Sequence, residues 1–273
     1  MIRQELVARQ LEERIAAHFE VGRRLRVLDV GLSDGAQALR LARWGHEVTG
    51  LEADPHKLAA VNAALEQEPE GIRARFRALA GSGQDTGAHF LPGAFDVVLC
   101  HDVLDQARDP DSTLAGLARV LDDGGLLSLV IPNVTARAMR PGLAGDWRAA
   151  RAALTAEPAE GERFLRLETL TSFLSRIGVP MERWYGVGVF GAGTAPTGGT
   201  GAASAAAETA EAPDGTDTAQ AAHTAHTADT ANTVHTANTD TVDEAAVDAE
   251  ERAGRIDPYR GVAPSLHLFG VRS

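Results

Sequence analysis

Cysteine is nearly absent from this 273-residue chain: Cys100 stands alone, so no internal disulfide can form. The sequence has no run of about eighteen apolar residues and no charged-then-apolar leader, which leads us to expect a cytoplasmic protein with no membrane partner. Large apolar residues are also missing locally: between Gly193 and Ala246 there is no Leu, Ile or Phe. Basic residues are missing there too, since residues 193–251 contain no Lys or Arg while holding eleven of the 38 acids. With that stretch set aside, the acids come close to balance with the 26 basic residues, so the formal net charge of −12 neither supports nor excludes an RNA partner.

The odd stretch has its own pattern. His223-Thr-Ala-His226-Thr-Ala-Asp229-Thr-Ala-Asn232 and its continuation to Asn238 repeat every three residues. Nothing in such a composition offsets the entropy of ordering the chain, so residues 193–246 are expected to be a disordered low-complexity insert. Its three histidines, His223, His226 and His235, make a weak metal tether at best, and no metal site is expected.

Outside the insert, strands and helices alternate. Val7, Leu11 and Ile15 put one apolar stripe on a helix from Arg3 to Phe19. Strands are expected at Arg26–Val30, Glu47–Leu51, around Ala74 to Ala78, at Phe95–Cys100 and at Leu126–Ile131, the last preceded by a turn at Asp122–Gly125. Helices are expected at Ala36–Trp44, His56–Leu65 and Leu114–Leu121, with further helical segments around Thr135–Met139, Asp146–Leu154 and Leu167–Ile177. Two strand-like runs, Met181–Phe190 and Leu266–Val271, close the chain as an antiparallel hairpin interrupted by the insert. This rhythm implies an α/β fold: a doubly wound, Rossmann-like sheet, mostly parallel, whose ligands lie at the carboxyl ends of the strands. One domain is expected from residues 1–192 together with 247–273.

The chemistry is concentrated in Val27-Leu-Asp-Val-Gly31-Leu-Ser-Asp-Gly35 and the helix that follows. Glycines at such a turn let backbone amides approach a ligand, and the helix N-terminus favours an anionic or polar group. About twenty residues on, Glu52 ends the second strand, where an acid can accept both hydroxyls of a ribose. A nucleoside-containing ligand follows. Two other patterns compete. Gly31-Leu-Ser33-Asp-Gly35 also fits a hydrolase nucleophile elbow with His267 downstream, although such an elbow normally follows several strands rather than the first. A nicotinamide dehydrogenase would use G-x-G-x-x-G, and its second and third glycines are missing here.

The ordered set of Gly31, Glu52, Ala80-Gly-Ser82, Phe95-Asp-Val-Val-Leu-Cys-His101 and Leu121-Asp-Asp-Gly-Gly-Leu-Leu-Ser-Leu129 resembles the class I methyltransferases over roughly residues 24–131. More narrowly, the chain is similar to the tRNA 5-carboxymethoxyuridine methyltransferase family. The matching stretches are Ile2-Arg3-Gln4, Phe95 to Leu104, Asn133 with Leu143-Ala-Gly-Asp-Trp147, Gly186-Val-Gly-Val-Phe190, and Asp257-Pro-Tyr259 with His267. The resemblance implies S-adenosyl-L-methionine as cofactor. It implies that Gly31 and Leu32 face that cofactor, Glu52 holds its ribose, Gly81 and Ser82 flank its adenine, His101 lies beside it and Arg3 reaches its methionine carboxylate. On the residues alone, Arg3 also reads as a solvated helix end, His101 as a capping or core histidine, and Cys100 as core. Two departures bear on substrate: Ser33 replaces the middle glycine of the turn, and Pro264-Ser265 replaces an Arg-Tyr pair whose cation would meet a substrate carboxylate. The family also covers its cofactor with a segment preceding Arg3, which this sequence does not show.

A sulfonium methyl is already activated, so the protein mainly aligns donor and acceptor in a dry pocket. A carboxylate acceptor needs no general base, and no catalytic residue is assigned; for an amine or hydroxyl acceptor, His101 is the candidate base. The resemblance implies a tRNA substrate, with Arg137, Arg140, Arg148 and Arg151 placed to meet phosphates. A small-molecule acceptor and a non-catalytic S-adenosylmethionine-binding module are the alternatives.

Overall fold

The computed structural model describes residues 2–156, 165–191 and 244–273. The chain divides into a unit of Met1–Gly193 with Val242–Ser273 and a second unit of Thr194–Thr241. That second unit, and with it most of the expected insert, lies outside the described residues. Description resumes at helix Glu244–Ala253, whose first three residues fall within the stretch expected to be insert.

Helix α1 (Ile2–His18) buries Val7 and Leu11 of the expected stripe, with Leu6 buried beside them and Ile15 half-buried. Each such side chain removed from water contributes about 1.5–3 kcal/mol, which holds the helix on the sheet. Alternation follows: β1 (Arg26–Val30), α2 (Ala36–Arg43), β2 (Glu47–Glu52), α3 (Pro55–Glu66), β3 (Phe76–Ala80), β4 (Phe95–His101), α4 (Pro110–Val120) and β5 (Leu121–Pro132). Beyond it come α5 (Trp147–Thr155), α6 (Leu167–Arg176), β6 (Met181–Val187), α7 (Glu244–Ala253) and β7 (Ser265–Val271).

The strands form one sheet in the order β3-β2-β1-β4-β5-β7-β6. The first five strands run parallel, while β7 pairs antiparallel with both β5 and β6. The expected mostly parallel sheet with an antiparallel terminal hairpin is therefore present. Because strand order reverses at the β1/β4 boundary, the loops leaving β1 and β4 part there and open a crevice at the carboxyl edge. Alternation along the strands assigns Leu28, Val98, Cys100, Leu127, Leu129 and Leu268 to one apolar layer, and Val27, Val97, Leu99, Leu126 and Phe269 to the other. Cys100 is buried there, with its thiol pushed upward chiefly by burial, and is core rather than reactive.

Several element ends differ from the sequence expectations, each for a local reason. The third strand starts at Phe76 instead of Ala74, because Ala74 closes a short helical turn at Glu70–Arg73 and Phe76 is the residue that pairs with Val48. Asp122–Gly125 is a bulge inside β5 and not a turn. Gly124 has φ +72°, and the ladder continues past it through Gly124 N–H to Arg272 O (2.9 Å) and Arg272 N–H to Gly125 O (3.0 Å). Helix α4 begins at Pro110, a full turn before its first apolar residue, because Asp109 accepts the Ser112 amide at 3.0 Å and proline suits the first helical position. Thr135–Ala138 is a turn, not helix. There Asn133 Oδ1 takes the Thr135 hydroxyl at 2.7 Å while Nδ2 donates to the carbonyls of Gly261 and Ala263. Strand β6 stops at Val187, where Gly188 has φ +78°.

Candidate functional site

The turn after β1 is shaped by backbone that few residues tolerate. Gly31, Ser33 and Gly35 have φ of +81°, +54° and +73°. A Cβ at Gly31 would stand 2.3 Å from Val103 Cγ2, so only glycine fits between the two loops of the crevice. Ser33, where a glycine would be cheaper, keeps the left-handed conformation as its amide donates to Glu52 Oε2 at 3.1 Å. Leu32 is buried against Gly50, where any side chain on residue 50 would meet it.

Glu52 ties two turns together. Its second oxygen accepts from the Asp54 amide at 3.0 Å, and the Glu52 carbonyl accepts from Gly81 N–H at 3.1 Å. The acid that ends β2 is thus fixed between the turns after β1 and β3. Gly81 has little room for a Cβ, with His89 Nε2 and Leu51 Cδ2 at 3.2 and 3.3 Å. Ser82 caps the following short helix, its hydroxyl and amide both donating to Asp85 Oδ2 at 2.7 and 3.1 Å.

On the other side of the crevice, His101 ends β4 and is followed by Asp102 at φ +55°. Arg3 grips both oxygens of Asp102 at 2.7 Å, and Gln4 Nε2 donates to Asp34 Oδ2 at 3.2 Å, so the start of α1 bridges the turns after β1 and β4. Gly31, Leu32, Glu52, Gly81, Ser82, His101 and Arg3 therefore all gather at the carboxyl edge of the sheet, supplied by five separate elements or their turns. Ser33 and His267 are not brought together: His267 Nε2 bonds Ser128 Oγ at 2.8 Å inside the core, so the hydrolase reading has no triad.

The electrostatics add a residue the motif reading passed over. Asp29, on β1, is 4% exposed, and burial followed by the charges of Glu52 and Asp34 pushes its carboxyl up to about 7. Three acidic side chains, from β1, the turn after it and the end of β2, thus act on one another with no cation among the causes of that shift, an arrangement that attracts a positively charged ligand. An acid inside an otherwise apolar strand was the available signal. Asp102 carried none, because its role depends on a left-handed backbone and on Arg3 from a distant helix. His101 is driven the other way, to about 3, first by burial and then by the Arg3 charge. Its ring stays neutral across the physiological range.

Known proteins are similar to this chain in sequence and in fold. Residues 28–129 match the family model of a methyltransferase domain. The tRNA 5-carboxymethoxyuridine methyltransferase of Escherichia coli K12 is 31% identical over 147 residues, 54% of this chain and 54% of that protein. A ubiquinone biosynthesis O-methyltransferase of Xanthomonas euvesicatoria is 30% identical over 157 residues, 58% of this chain and 63% of that protein. The chain thus spans about half the length of the first of these relatives. Among solved structures, a protein of Galdieria sulphuraria described as a sarcosine dimethylglycine methyltransferase has a TM-score of 0.50 at 17% identity, covering 66% of this chain and 63% of its own. With the sheet order and the crevice between β1 and β4, these matches identify residues 28–129 as a methyltransferase domain of the class I, Rossmann-like kind.

Proposed function

We propose that this chain transfers the methyl group of S-adenosylmethionine to an acceptor that is already anionic, the carboxylate of 5-carboxymethoxyuridine in tRNA, forming its methyl ester. The cofactor fits the residues present. Glu52 is held by two backbone amides with lone pairs left for ribose hydroxyls, Gly31 keeps the turn open, and Asp29, Asp34 and Glu52 favour a ligand bearing sulfonium and ammonium charges. Bound there, the cofactor supplies a methyl on a positively charged sulfur; the acceptor's oxygen forms the new bond as the carbon–sulfur bond breaks, and no proton moves.

The choice of acceptor rests on His101, whose Nε2 is tied to Ser128 Oγ at 2.9 Å and whose basicity burial lowers, together with the Escherichia coli relative. At about 3, the ring is too weak a base to take a proton from a hydroxyl or an ammonium near neutral pH. A carboxylate requires no such help. The Escherichia coli relative's name points the same way, and it is also the reason for choosing tRNA. Past β5, Trp147 is 73% exposed and Leu143 81% exposed, with Arg148 and Arg151 exposed on the same helix. Aromatic and guanidinium groups side by side suit bases and phosphates of a single strand. Arg260, close in sequence to the missing Arg-Tyr pair, is committed to Asp257 at 2.7 Å and lies over Trp184.

The test is incubation of the purified chain with labelled methyl donor and tRNA bearing 5-carboxymethoxyuridine, followed by mass spectrometry of the nucleosides. The methyl ester is expected. Binding of the donor without ester formation would remove tRNA as substrate, and methylation of a quinol precursor in the same assay would favour the small-molecule reading suggested by the O-methyltransferase relatives.

A further inference from the structure

A chain of polar side chains runs from His101 at the crevice into the core, and beyond His101 nothing in the methyl-transfer reading uses it. His101 Nε2 lies 2.9 Å from Ser128 Oγ on β5. That hydroxyl is 2.8 Å from His267 Nε2 on β7, and His267 Nδ1 is 2.8 Å from Gln10 Oε1 on α1. Ser128, His267 and Gln10 are fully buried. The two imidazoles stand edge to face at 5.4 Å, and Phe269 packs against His267 at 4.2 Å. Four elements each contribute one member, so the chain is a built feature of the sheet's α1 face.

The hydrogen-bond directions are coupled. Gln10 Oε1 can only accept, so His267 carries its proton on Nδ1 and presents a bare Nε2. Ser128 then donates to His267 and has only lone pairs left for His101. His101 must donate to them from Nε2, which leaves its Nδ1 bare. Turning the Gln10 amide over would reverse every step and put the proton on His101 Nδ1. The Arg3 guanidinium, whose charge lowers both rings, favours a lone pair over an N–H at the crevice end. Burial keeps both rings uncharged, so neither end can relieve the constraint by taking a second proton.

We propose that Ser128, His267 and Gln10 are positioning residues that hold His101 as the tautomer protonated on Nε2, so that Nδ1 is offered as a hydrogen-bond acceptor to a donor group on the molecule bound in the crevice. The donor is an N–H or O–H of the cofactor or of the methyl acceptor. The inference rests on the methyl-transfer reading only for the identity of that molecule; the tautomer is a property of the chain alone.

Histidine side-chain nitrogen NMR on the full chain, with nothing added, reads it directly. His101 and His267 are expected to show opposite tautomers, His101 bare at Nδ1 and His267 bare at Nε2, and both are expected to stay neutral near neutral pH. Ser128→Ala removes the link; His101 should then populate both tautomers, which a merely space-filling serine would not cause. Gln10→Glu places a carboxylate on His267 Nδ1 and should charge that ring. Ser128 would then donate toward His101, moving the His101 proton to Nδ1. Titration of Gln10→Glu with S-adenosylhomocysteine should show roughly 2- to 10-fold weaker binding if the donor belongs to the cofactor, as expected for one hydrogen bond. If the donor belongs to the acceptor, the loss should fall on the KM for modified tRNA instead. A wild-type His101 protonated on Nδ1, or a His101 signal unmoved in both variants, would overturn the proposal whether or not the chain transfers methyl groups.

Discussion

Replacing Asp29 by Asn should change stability by an amount that depends on pH, and the dependence can be worked out from the fold. In the folded chain the Asp29 carboxyl titrates at about 7 against an ordinary 3.8, because it is buried beside Glu52 and Asp34. Between those values the folded state holds a proton that the unfolded state has released. The stability this contributes is complete below 3.8 and is lost as the pH rises through about 7. Asn cannot ionise, so the variant does not suffer that loss. Each unit of pH in the window is about 1.4 kcal/mol, so between about pH 5 and pH 8 the stability difference should swing by about 2–3 kcal/mol in the variant's favour. The cost of burying the amide, about 1–3 kcal/mol, is the same at both pH values and cancels from the swing. Urea denaturation of both proteins at the two pH values measures it. A difference independent of pH would show that Asp29 is not a buried, raised carboxyl. The same variant should bind S-adenosylmethionine less tightly, because a local negative charge that attracts the cationic donor is gone.

Glu52→Ala frees the Ser33 and Asp54 amides and removes the ribose acceptor; S-adenosylmethionine binding should weaken by roughly 1.5–3 kcal/mol in calorimetry, and unchanged affinity would refute the assignment. Gly31→Ala should destabilise through two separable terms, the clash with Val103 and the strain at φ +81°. The double variant with Val103→Ala should recover only the first, leaving about 1–2 kcal/mol in denaturant titrations. Deleting residues 194–241 should leave melting temperature and cofactor affinity unchanged. The chain on either side is already joined directly, since Glu250 accepts the Phe190 amide at 2.9 Å and also holds Gly191. A large loss of either property would contradict the expectation that the insert buries nothing.

The parts of the site legible in the sequence are those made by local conformation. A run such as Arg26–Val30 followed by Gly31 and Gly35 dictates strand, left-handed turn and helix, and Glu52 follows because the next strand has a fixed length. Strand β3 was harder, since its Ala-rich residues alternate weakly and only pairing with β2 sets its register. The bulge at Gly124 read as a turn because the partner that continues the ladder, Arg272, lies at the far end of the chain. Long-range polar contacts left the least trace. Ser128 is an unremarked serine in an apolar strand until β7 brings His267 to it and α1 brings Gln10 to His267, and Asn133 adds, to its local bond with Thr135, carbonyls more than a hundred residues away.

The central claim is that the crevice between β1 and β4 binds a cationic nucleoside donor beside a raised carboxyl. Titration of the purified chain with S-adenosylmethionine, repeated near pH 7 in buffers of different ionisation enthalpy, tests it most directly. We expect one site per chain and heats that vary with the buffer, because the donor's positive charge pulls the Asp29 carboxyl down and releases its proton. Binding with no proton release would contradict the role given to Asp29, and absence of binding would contradict the account as a whole.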